Sequence, residues 1–302
     1  MKKRILGTIV CFSLIFALMP TTGFAEEETE GGMLTYLALG DSITTGYGLG
    51  DEEECFVNLF AEETGMAATV NAAVDGLTAS ALAEALTDTS GTDYTTYLAA
   101  ISAADVITVT AGGNDLMGAF YTVMTEIAAT GGVTVDADTI QSAFADPSGD
   151  NLTTVNSLLT LLNSSDWSSY LTDTSTVFAD AVASCVENID TIAATIKTVN
   201  PDAVILVANQ YNPYQWLGDT YGNISNLFET GVIAYNTVLL ASESTDYTVA
   251  DVYSEFAASE DTLTNAVIDA AAYSFDFDFH PNAEGHTAIA SVMASAYESA
   301  AE

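Results

Sequence analysis

A chain of 302 residues carrying 42 acidic against 4 basic side chains, a formal net charge of −38, repels nucleic acid and anionic lipid headgroups, so polyanionic partners are excluded at the outset. Almost half of it is hydrophobic (49%). That is ample for a core, at a length that fits one large domain or two small ones.

The first residues have the pattern of a secretory leader: Lys2, Lys3 and Arg4, then an apolar run from Ile5 to Met19, then the small-residue end "TGFA" before "EEETE". Residues 1–25 are expected to be cleaved after Ala25, leaving an acidic, flexible stretch at 26–33 and a domain over 34–302. The apolar run is short for a membrane span, and no second run of spanning length follows. The chain is therefore expected to be secreted, with no stable membrane insertion. Without residues 1–25, Lys197 is the only cation. Cys11 leaves with the leader, while Cys55 and Cys185 sit in helices expected on opposite faces of a sheet. Buried free thiols are the expectation there, although the compartment permits a disulfide.

Along the chain, apolar runs rich in branched residues predict five strands, at 34–40, 68–73, 105–111, 203–209 and 247–252. Runs this apolar fit strands covered on both faces. Between them lie helical patterns. One spans Glu53–Thr64, opened by Asp51 with Glu54 three residues on and closed by Gly65. Another spans about Ser184–Val199, with Val186, Ile189, Ile192 and Ile196 on one face and a stop at Asn200-Pro201. A last helix follows Pro281. Strands alternating with helices predict a three-layer α/β/α fold around a five-stranded, mainly parallel sheet. The segment at about 117–180 interrupts this rhythm. It is rich in Ser, Thr, Asp and Gly, with helical fragments at 120–127 and 155–162, and is too long for an ordinary loop. It reads as a helical cap leaving the carboxyl end of the third strand, although a decoration packed away from any cleft has the same pattern.

In such folds reactive groups gather beyond the carboxyl ends of the strands. Ser42, in "GDSIT", follows the first strand there. A serine hydroxyl needs a base, and the chain has two histidines. His280, in "SFDFDFHPNAEGH", lies at a loop–helix boundary. His286 lies inside the last helix beside apolar residues, where packing is the more ordinary role. Asp276 and Asp278 both precede His280 on one face of an extended segment, so either is placed to orient the ring. Gly76 after the second strand and Asn114 after the third would supply hydrogen donors to an oxyanion.

These blocks, "GDSIT", the glycine of "NAAVDG", "GGND" and "HPNAEGH", occur in the order found in GDSL-type esterases of the SGNH hydrolase superfamily, which the chain resembles over nearly all of residues 34–299. The resemblance implies a flavodoxin-like sheet, Ser42 as nucleophile, His280 as base, and an oxyanion hole of the Ser42 and Gly76 backbone N–H groups with the Asn114 side chain. The family's commonest pattern puts aspartate three before the histidine, where this chain has Phe277. Aspartate two before it also occurs, which favours Asp278 over Asp276. Tyr47, Tyr211, Tyr214 and Trp216 follow strands one and four and would rim the cleft for an acyl group or a sugar ring, or simply pack their own loops. The expected substrate is a neutral short-chain ester such as an O-acetylated glycan. Longer-chain lipase or lysophospholipase action is the rival, and a binding domain without turnover is the reading from another class. No cofactor is called for, and neither a zinc-spaced His cluster nor a complete EF-hand loop is present. Oligomeric state is not legible.

Overall fold

The computed structural model describes residues 33–164, 167–173, 176–216, 222–269 and 274–301. The expected leader at 1–25, and the acidic stretch as far as residue 32, lie outside the described residues. All five predicted strands form: β1 (Thr35–Gly40), β2 (Ala68–Asn71), β3 (Val106–Thr110), β4 (Val204–Ala208) and β5 (Thr248–Ala250). They pair in parallel in the order β2-β1-β3-β4-β5. A short antiparallel pair, β6 (Val267–Asp269) and β7 (Ser274–Asp276), was not predicted, since three residues a side are too few to leave a pattern.

Parallel strands need crossovers, and these place helices on both faces of the sheet. The helices are α1 (Ser42–Thr45), α2 (Phe56–Glu63), α3 (Ala79–Thr87), α4 (Tyr94–Ser102), α5 (Gly113–Thr130), α6 (Ala137–Ala145), α7 (Asp150–Ser164), α8 (Ser168–Thr172), α9 (Val177–Val199), α10 (Gly222–Ser242), α11 (Val252–Ala258) and α12 (Ala283–Ala300). Strand side chains alternate between the two cores. Tyr36, Ala38, Val106 and Leu206 pack on one side with α2, α11 and α12, and Leu37, Leu39, Ile107, Val109, Ile205 and Val207 pack on the other with α3, α5, α9 and α10. Burial of each such Leu, Ile or Val is worth about 1.5–3 kcal/mol. Among the described residues, no helix is long and apolar enough to cross a membrane.

Two helix starts differ from expectation. Helix α2 begins at Phe56 rather than Glu53, because the Glu53 carboxylate turns back to accept the Gly50 N–H at 2.6 Å. The Phe56 N–H then donates across the fold to His286 Nδ1 at 3.3 Å, a partner no local pattern announces. Helix α9 starts at Val177, a full two turns early, with the Thr176 hydroxyl accepting the Ala179 N–H and Phe178 and Val182 buried. At its other end Lys197 Nζ donates to the carbonyls of Pro201 and Ala203, at 3.2 and 2.8 Å. A cation there also suits the carboxyl end of the helix dipole. Helices α5 to α8 and the start of α9 supply most of the described residues of 117–180, and α6 reaches the other end of the chain through Phe144, whose ring meets Phe277 at 4.8 Å. Cys55 and Cys185 are both free thiols on opposite sides of the sheet; Cys185 is buried in one core as expected, while Cys55 is only half-buried against the other.

Candidate active site

Strand β1 ends against β3 so closely that only glycine fits. A Cβ on Gly40 would lie 2.3 Å from Thr110 Oγ1 and 2.6 Å from its carbonyl oxygen, and φ is +150°. Asp41 then caps α1: its Oδ1 accepts the Ile43 N–H at 3.0 Å and the Thr110 hydroxyl at 3.1 Å. Ser42 is thereby the first helical residue, at the carboxyl edge of the sheet, 6% exposed. Burial pushes the Asp41 carboxyl up to about 6, against the pull of those hydrogen bonds and of His280.

His280 arrives from the far end of the chain. The segment before it is held by alternate residues, with the Phe277 carbonyl accepting from Tyr214 Oη at 3.1 Å and the Phe279 carbonyl from Tyr211 Oη at 2.9 Å. Period-two alternation then presents Asp278 and His280 together. His280 Nε2 lies 2.9 Å from Ser42 Oγ, and Nδ1 lies 2.5 Å from Asp278 Oδ1, which also accepts the His280 backbone N–H at 3.1 Å. With a carboxylate at Nδ1, that nitrogen carries the proton and Nε2 is left to accept from the serine hydroxyl. Burial raises the Asp278 carboxyl, but the His280 ring, its charge, its N–H and the Asn265 side chain outweigh it and hold the group below the usual range. Asp276 is exposed and accepts the Asp278 backbone N–H at 3.1 Å, so it meets the backbone of its neighbour and not the ring.

His286 is wholly buried in α12. Its ring lies parallel to Phe56 at 6.1 Å, Nδ1 accepts the Phe56 N–H, and Nε2 meets no hydrogen-bond partner among the described residues. Burial, with a smaller push from His280, lowers it to about 4. It is a neutral packing residue.

The two expected oxyanion donors are tied to this centre from the side. Asn114, in the first turn of α5, donates one amide hydrogen to the Leu77 carbonyl at 3.0 Å, and its Nδ2 is 3.5 Å from Asp41 Oδ2, leaving the second hydrogen weakly held. Gly76, at φ +76° and exposed, stands between Leu77 and Asp75, whose Oδ1 accepts the Thr45 hydroxyl at 2.6 Å. Asp115 fastens the same loop by accepting the Ala79 N–H at 2.9 Å. Asp115 and Asp41 lie inside the quoted motifs, yet Asp115 bonds remote backbone and Asp41 the remote Thr110 hydroxyl, and only Asp41 carried a local signal, as an N-cap type before a helix.

A cavity of about 40 Å³ opens beside Ser42, walled mainly by Leu116, Met117, Phe120, Phe228, Val232 and Phe279. Of the four predicted aromatics, Tyr211 lines it. Tyr47, 53% exposed, lays its ring 4.6 Å from that of His280. Tyr214 is buried and braces the histidine loop, and Trp216 packs on Phe256, so neither borders the cavity. Among the described residues no group of three or more His, Cys, Asp or Glu could hold a metal ion.

The sequence profile of the GDSL-like lipase/acylhydrolase family matches residues 38–288. Among solved structures, the lipase Lip_vut3 from a goat rumen metagenome is similar at 21% identity, over 87% of this chain and 97% of that one, with a TM-score of 0.54. A phospholipase A1 from Streptomyces albidoflavus is similar at 16% identity, over 87% and 99% of the two chains, with a TM-score of 0.53. An extracellular lipase from Streptomyces rimosus gives 18% identity, 87% and 99% coverage and a TM-score of 0.51. These likenesses concern the fold. Sequence comparison with curated proteins finds no match.

Proposed function

The chain belongs to the GDSL-like lipase/acylhydrolase family and is a carboxylic ester hydrolase, and from that premise we propose that it cleaves short-chain esters through an acyl-enzyme on Ser42. His280 Nε2 takes the proton of Ser42 Oγ as the hydroxyl attacks the ester carbonyl. Asp278 holds the ring in that tautomer and stabilises the imidazolium. The Ser42 and Gly76 backbone N–H groups and the Asn114 amide hydrogen that Asp41 holds only weakly receive the developing oxyanion. His280 then protonates the departing alcohol, and water repeats the sequence on the acyl-enzyme. The observation that carries this reading is the unbroken line of contacts from Ser42 Oγ through both ring nitrogens to Asp278.

Acyl length is argued from volume. A water needs about 10–15 Å³ of such space, so the cavity of about 40 Å³ takes three or four non-hydrogen atoms, which supports acetyl to butyryl groups. The exposed Tyr47 ring beside His280 offers a face for a neutral sugar, as in an O-acetylated glycan, and the acidic surface disfavours anionic lipid. The leader-like N-terminus supports export. The apolar cavity walls favour one alternative, a longer-chain lipase. A p-nitrophenyl ester series decides: kcat/KM highest between acetate and butyrate and about tenfold lower or more by octanoate is expected. A maximum at octanoate or beyond would overturn the short-chain reading.

A further inference from the structure

The cavity beside Ser42 runs along one face of α5. Asn114, Leu116, Met117 and Phe120 all line it, in that order along the helix. At 1.5 Å rise per residue, Phe120 is about 9 Å along the helix from Asn114, which makes its ring the far wall. That ring also packs against Phe228 at 4.2 Å and Phe178 at 5.1 Å.

Behind it sits Gly231, within α10 between the lining residues Phe228 and Val232 but not itself bordering the cavity. Its backbone is ordinary helix, where glycine is a poor choice. Space is the reason for it. A Cβ at 231 would lie 2.4 Å from Phe120 Cζ, 2.8 Å from Phe120 Cε1 and 2.7 Å from Phe178 Cζ. A side chain there must displace these rings, and of the two Phe120 is the one that lines the cavity.

We infer that Gly231 is a specificity-determining residue acting through Phe120: by carrying no side chain it lets the ring stand back, and so sets how long an acyl chain the pocket accepts. The inference rests on the reading of Ser42 as the acyl acceptor. A methyl at 231 pushes the wall toward Ser42 and shortens the pocket, and truncation of Phe120 removes the wall and lengthens it.

The test is the ratio of kcat/KM between p-nitrophenyl butyrate and acetate, and between octanoate and acetate, in the wild type, Gly231→Ala, Phe120→Leu, Phe120→Ala and the double variant Gly231→Ala/Phe120→Ala. One methylene in an apolar pocket is worth about 10- to 200-fold, so Gly231→Ala should lower the butyrate-to-acetate ratio about tenfold or more. Phe120→Leu and then Phe120→Ala should raise the octanoate-to-acetate ratio in that order. The double variant should recover butyrate, because the added methyl then occupies space the ring has vacated. If Gly231→Ala does not fold, the graded Phe120 pair decides alone. Ratios unmoved in every variant, with all esters weakened equally, would overturn the inference while leaving the esterase reading intact. A wild type that hydrolyses no ester would overturn the parent reading and this one with it. A wild type that prefers octanoate would overturn only the short-chain reading, and the direction of the variant shifts would still settle the role of Gly231.

Discussion

His280 and His286 stand on either side of the cap of α12, and both are buried, at 8% and 0% exposure. Their surroundings differ in what the two ring nitrogens find. In the loop, one nitrogen meets a carboxylate and the other a hydroxyl. In the helix, one meets a backbone N–H and the other meets nothing among the described residues with which to exchange a proton. Burial is common to both regions, so burial does not make a base; a donor-and-acceptor pair in line does.

The comparison breaks most visibly if activity follows the wrong ring. His280→Ala should cost kcat/KM about 10⁴-fold or more, since a serine without its base retains only binding and oxyanion stabilisation. His286→Gln, measured on the same ester at pH 8, should stay within about tenfold, because it touches no reacting atom. A reversal of these two would sink the assignment. The loop itself divides next. Asp278→Asn should lower kcat/KM about 10²- to 10⁴-fold by losing the tautomer and the imidazolium's partner, and Asp276→Asn only a few-fold, since its bond is to backbone.

The smallest effect is on stability, and its sign follows from the shifts. His286 titrates near 4 when folded against 6.5 ordinarily, so below 6.5 the unfolded chain takes a proton the native state refuses. Stability is lost as pH falls from 6.5 toward 4, on the order of 3 kcal/mol at most. Asp41 works in the opposite direction. Its folded value of about 6 against 3.8 means the native state keeps a proton the unfolded chain releases, a contribution present below 3.8 and lost as pH rises through 6. Between pH 7 and 4.5, the Tm of His286→Gln should therefore fall less than that of the wild type, and the Tm of Asp41→Asn should fall more. Equal falls in all three would show that neither buried group governs acid stability.

What was legible in the sequence was local. Strands β1, β3, β4 and β5 stand within a few residues of their apolar runs because both sheet faces are covered there, whereas the edge strand β2, expected to be covered likewise, is exposed from Ala68 to Val70. Ser42 and His280 could be singled out because each falls at the edge of an element that could be read. Hidden features depend on contacts between distant segments. The Phe56 N–H at the start of α2 is met by His286, the early start of α9 is fixed by burial of Phe178 and Val182, and the bracing of the histidine loop comes from tyrosines expected at the rim. Trp216 had the right position in sequence for the cleft, yet Phe256 captured it.

Beyond Arg4 the only lysine or arginine is Lys197, and its ammonium is engaged by two carbonyls where α9 runs into β4. A trypsin-like protease needs such a cation on an extended, accessible stretch of backbone. Here the bond after Lys197 is wound into the last turn of a helix, at the edge of the sheet opposite Ser42. The native domain thus offers digestion no foothold of that kind, and even the unfolded chain from residue 5 onward would yield just two fragments.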